Sequence, residues 1–130
     1  MNIIPLLMLA LSQPAPSQPL PLNEAQRRDL SCVAVLAIIA SEQERGVQSA
    51  LDFPLLTERG ATYAGLVGQQ IMDDTGRTKE EVREDILAAV AARQAVGQDA
   101  ADPDEVVRGE MATCLPLLDA AVPPKPKPDL

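Results

Sequence analysis

The chain has 130 residues, enough for one domain, and carries 11 basic against 19 acidic side chains with no histidine, a formal net charge of -8. That charge repels phosphate backbones, and no basic run interleaved with aromatics offers a groove for nucleic acid or a basic amphipathic face for an anionic membrane. With no Trp, one Tyr and one Phe, the core has to be built from aliphatic side chains, each worth about 1.5 to 3 kcal/mol when fully buried.

Met1 to Ser12 has the pattern of a short export signal. Ile3 to Leu11 is an apolar stretch, and Ala10-Leu11-Ser12 is a small-x-small cleavage site. The pattern lacks an N-terminal Lys or Arg and is interrupted by Pro5, so an uncleaved segment is the alternative. The expectation is a periplasmic or secreted protein cleaved after Ser12. Residues 13–22 are Pro-rich and uncharged, which predicts an extended tether.

Residues 23–121 read as one all-α domain, a single small bundle of about four helices stapled by one disulfide. Asn23 is suited to cap a first helix running to about Glu44. In it Cys32, Val35, Leu36 and Ile39 form one apolar stripe, while Leu30, Val33, Ala37 and Ile38 form another. A helix with two apolar faces belongs in the middle of a bundle. After Gly46, Val47 to Leu51 suggests a short helical turn ahead of Phe53-Pro54.

Thr57 is placed to cap a second helix, from Glu58 to about Asp74, with Gly76 as its stop. Gly60, Ala64 and Gly68 recur at i, i+4 and i+8. This small-residue groove is read as a helix-packing surface; the alternative is a partner surface or binding crevice lined by Tyr63. Thr78-Lys79-Glu80-Glu81 is a capping box that starts a third helix, expected to turn Val82, Ile86, Ala89 and Val90 inward and to end at Gly97. Asp102-Pro103-Asp104-Glu105 opens a fourth, with Val107, Met111, Cys114 and Leu118 on one stripe and Pro116 inside it. The segment 122–130, rich in Pro and Lys, reads as a disordered tail.

Two cysteines in an exported chain, each on an apolar helical stripe, point to a Cys32–Cys114 disulfide, which would stabilise the fold by about 4 kcal/mol through the loop it closes. Two buried free thiols are the alternative. Neither cysteine belongs to a CxxC pair, so redox catalysis is not expected. Without histidine, the usual zinc, copper and haem sites cannot be assembled, and the acidic runs lack the spacing of a calcium loop. Ser31, Ser41 and Ser49 have no base of the usual kind to activate them. The reading is therefore a non-enzyme with no cofactor, no metal site and no small-molecule ligand.

Cys32 in an early helix, Tyr63-Ala64-Gly65 in a small-residue helix and Cys114 ahead of Leu117-Leu118 resemble small exported two-cysteine helical proteins of alphaproteobacteria. That resemblance implies a helical fold and the Cys32–Cys114 pairing, and carries no activity. In plan the chain is also similar to acid-stress chaperones of the HdeA type, though it lacks their tryptophans, and to Tai-type immunity proteins, whose Tyr-x-x-Gly element it does not reproduce at Tyr63. The expected function is a non-catalytic protein-binding or structural role in the periplasm, surface acids setting the partner's preferred charge. An acid-stress chaperone and an immunity protein against a periplasmic toxin are the alternatives.

Overall fold

The computed structural model describes residues 18–126, in which four α-helices and one short 3-10 helix enclose a single core. No strand occurs among the described residues. The export-signal reading (1–12), the first half of the tether and the last four residues of the tail lie outside that range. Within it, Leu20 donates its N–H to the Thr75 carbonyl at 2.9 Å and accepts from Arg77, so the end of the Pro-rich segment is laid against the bundle.

Helix α1 spans Glu24–Glu44. Asn23 caps it, as its residue type suggests, and Gln26 completes the box: the Asn23 side chain accepts from the Gln26 N–H at 2.8 Å, and Gln26 returns the favour to the Asn23 N–H at 2.9 Å. Two orphan donors are thereby satisfied. Leu30, Cys32, Val33, Ala34, Val35, Leu36 and Ile39 are all buried, and α1 touches each of the other three helices. One expectation is corrected: Ala37 is exposed and Ile38 half-buried, because α2 and α3 leave that sector of α1 open.

A 3-10 helix at Gln48–Asp52 follows, after Gly46 takes a left-handed φ of 74°. It is tied down by Gln43. This buried amide donates to the carbonyls of Ala50 (3.0 Å), Phe53 (3.3 Å) and Pro54 (2.9 Å) and accepts from the Leu56 N–H at 3.1 Å. Without hydrogen bonds of this kind a buried amide would cost several kcal/mol; with them it fixes the entry to the next helix.

Helix α2 spans Thr57–Thr75 and ends at Gly76, whose φ of 78° is the left-handed cap expected of glycine. Thr57 is not the N-cap. Leu56 holds that position with no side-chain cap, its own N–H already taken by Gln43, and Thr57 is the first helical residue. Helix α3, Lys79–Asp99, has the expected Thr78–Glu81 capping box, but it passes through Gly97 and stops two residues later. A glycine with right-handed φ costs a helix only about 1 kcal/mol, too little to end one that continues to bond. Of its inward stripe only Val82 is fully buried; Ile86, Ala89 and Val90 are half-buried.

Helix α4 spans Pro103–Ala121, with the Asp102 side chain accepting from the Glu105 N–H. Met111, Cys114 and Leu118 are buried and Val107 is half-buried, as the 3.6-residue period demands. Pro116 sits inside the helix on its exposed side. The Cys32–Cys114 disulfide joins α1 to α4 with Cα atoms 5.3 Å apart and a sequence separation of 82. Two ion pairs close the edges. Arg93 of α3 meets Glu110 of α4, and Arg59 of α2 bonds both Asp119 and the Val122 carbonyl, covering the C-terminus of α4.

Candidate functional site

All four residues singled out on α2 are placed by its helical period, which divides them between two flanks. Gly60 and Gly68 face neighbouring helices. A Cβ at Gly60 would lie 3.9 Å from the Leu36 Cβ of α1, and one at Gly68 would lie 3.5 Å from the Val82 methyl of α3. Successive i+4 steps drift around the helix by about 40°, so the stripe begins against α1 and finishes against α3. Ala64, halfway along and half-buried, borders both contacts.

Two apolar furrows result. The one between α1 and α2 holds about 280 Å³ and is bordered by Ala37, Ala40, Gly60 and Ala64. The larger, between α2 and α3, holds about 480 Å³. Its floor is Ala64, Gly65, Gly68, Met72, Val82 and Ile86, and Lys79, Glu80, Arg83 and the exposed Leu87 line it as well. Gly65 has no heavy atom within 4 Å of where its Cβ would stand, so the floor is open to solvent there.

Tyr63 lies on the opposite flank of α2. It is only 3 % exposed, and it lines a third cleft, of about 290 Å³, with Arg28 and Asp29 of α1, Leu66 and Gln70 of α2, and Leu117 near the end of α4. Burial raises the phenol's pKa above its ordinary value of 10.0; the Asp29 carboxylate pushes in the same direction and the Arg28 guanidinium partly opposes it. The hydroxyl therefore keeps its proton throughout the neutral range.

The structure thus divides the stripe, Gly60 packing towards α1 and Gly68 towards α3 with Ala64 between them, and sets Tyr63 apart from it. Cys32 and Cys114, 2 % and 3 % exposed, are joined to each other. Among the described residues no three His, Cys, Asp or Glu side chains are grouped closely enough to hold a metal ion, and no helix is long and apolar enough to cross a membrane. Sequence reasoning missed Gln43, although it continues the buried stripe at four residues beyond Ile39. It also missed Arg28 and Asp29 beside Tyr63, for which no local signal exists.

No family model, curated protein or solved structure matches this chain. The likeness in the cysteine pair and in Tyr63-Ala64-Gly65 rests on those residues alone.

Proposed function

We propose that this chain is a non-catalytic exported domain that works by holding an apolar helical segment of another protein in the furrow between α2 and α3. The observation that carries the reading is the open floor at Gly65 and Gly68, bounded by Met72, Ile86 and the exposed Leu87. Backbone without side chains lets a second helix approach closely, and an apolar face of this kind gains from being covered. Lys79 and Arg83 outnumber Glu80 along the furrow, reversing the sign of the chain as a whole. A segment whose apolar stripe is flanked by carboxylates therefore complements it. A disulfide in the fold supports an oxidising compartment.

The test of binding places a photoreactive side chain at Leu87 in cells and asks for a discrete protein adduct. Gly65→Leu, whose Cβ has open space around it and whose side chain would occupy the furrow, should abolish the adduct while the far-UV circular dichroism stays unchanged. No adduct, or one indifferent to Gly65→Leu, overturns the reading. Export is tested separately by the intact mass of the chain in a periplasmic fraction, with and without reduction and alkylation. A mass that begins at Gln13 and shifts only after reduction supports it, and an intact leader in the cytosolic fraction rejects it.

A further inference from the structure

The Tyr63 cleft is independent of the α2–α3 furrow and has a different chemistry. Its floor is a nearly fully buried phenol whose hydroxyl has no hydrogen-bond partner among the described residues. The hydroxyl is not sealed from solvent, so it is free to pair with a group that enters the cleft. At the rim, Arg28 puts both Nε and Nη2 on the same Asp29 oxygen, Oδ1, at 3.2 and 2.9 Å. Asp29 Oδ2 and Arg28 Nη1 remain without a partner among the described residues, and Gln70 adds an amide. The walls are aliphatic, from Leu66 to Leu117 and Ala120.

We propose that this cleft binds a peptide group carrying an aliphatic side chain, the carbonyl oxygen accepting from the Tyr63 hydroxyl or Arg28 and the N–H donating to Asp29 Oδ2. Charge selects this ligand. Arg28 and Asp29 cancel, so a carboxylate entering the cleft meets Asp29 and an ammonium meets Arg28, whereas a neutral amide uses both the donors and the acceptor. Size agrees, since about 290 Å³ lies at the lower end of ligand sites and accommodates one leucine-like side chain with its amide. The occupant is a segment of another polypeptide that presents one aliphatic side chain beside a neutral backbone amide, matching the aliphatic walls and the cancelled charge of the rim.

The test titrates the oxidised protein with the doubly blocked tripeptide acetyl-Ala-Leu-Ala-amide, following the ring resonances of Tyr63 and the backbone amides of Asp29, Leu66 and Gln70. Saturable shifts confined to these residues are expected. Tyr63→Phe should weaken binding about three- to tenfold, the value of one neutral hydrogen bond. Ala120→Leu, a substitution at an exposed position on the cleft wall, should abolish it and keeps the fold testable where the tyrosine variant loosens it. N-acetyl-leucine and leucine amide, one anionic and one cationic, should bind several-fold more weakly. The proposal is overturned by the absence of saturable shifts, by either charged analogue binding as tightly as the blocked tripeptide, or by binding that survives Ala120→Leu.

Discussion

Gln43 and Leu56 are joined across 13 residues by a hydrogen bond from the Leu56 N–H to the Gln43 side chain, while the other end of the same amide gathers the carbonyls of Ala50, Phe53 and Pro54. One buried side chain thus does for the entry to α2 what a capping residue does elsewhere. It also explains why the loop from Gln48 to Leu56, with Leu51 and Leu55 exposed, holds a fixed path with little core of its own.

Replacing that amide should expose the dependence. Gln43→Ala leaves a buried N–H and at least two carbonyls unsatisfied and is expected to cost about 2 to 3 kcal/mol. Urea unfolding followed by circular dichroism measures it. A loss below about 0.5 kcal/mol would mean that water replaces the amide without penalty.

The disulfide is the next lever. A Cys32→Ala/Cys114→Ala variant removes a cross-link closing 82 residues, worth about 4 kcal/mol in the chain-entropy account and 2 to 4 in typical proteins. Its melting temperature should fall by roughly 10 to 20 °C. Because both sulfurs are buried, the wild-type bond should resist reductant until denaturant is added, which thiol labelling reads directly.

Gly65 and Gly68, three residues apart, should respond oppositely to enlargement. Gly65→Ala meets nothing and gains helix propensity, so it should stabilise by about 0.5 to 1 kcal/mol. Gly68→Leu has to displace Val82, whose methyl already lies 3.5 Å from the Cβ position, and should destabilise by about 1 to 3 kcal/mol. Thermal melts of the two variants decide whether α3 is packed as closely on α2 as the geometry shows.

Tyr63 provides a pH prediction with a definite sign. Its folded-state pKa is raised, so in the alkaline range the unfolded chain loses the phenolic proton first and the folded state binds more protons. Stability should be indifferent to this group below about pH 10 and should decline as pH rises from there towards the folded-state value. It is the only tyrosine and there is no tryptophan, so tyrosinate absorbance titrates this one group. A midpoint at or below 10 in the native protein would contradict the burial.

Helix starts were legible because capping chemistry is local: Asn23, Thr78 with Glu81, and Asp102 before Pro103 all cap as their types and spacing suggest. Gly76 ends a helix and Gly97 does not, since only the former takes a positive φ, a difference set by how the chain must turn next and not by the glycine itself. Thr57 yields its place to Leu56 through a partner 13 residues away, beyond the reach of any local rule. The cysteine pair could be inferred from its stripes. Which residues surround Tyr63 could not, because Arg28, Asp29 and Leu117 reach it only through the packing of α1, α2 and α4.

The bond between Cys32 and Cys114 closes a loop that contains the whole of α2 and α3. A protease that cuts at the exposed turn between Asp99 and Pro103 would therefore liberate no fragment: both pieces would stay tethered and migrate as one until a thiol reagent parted them. Nicking becomes invisible on a non-reducing gel, and a domain built this way can be cleaved at its periphery without being dismantled.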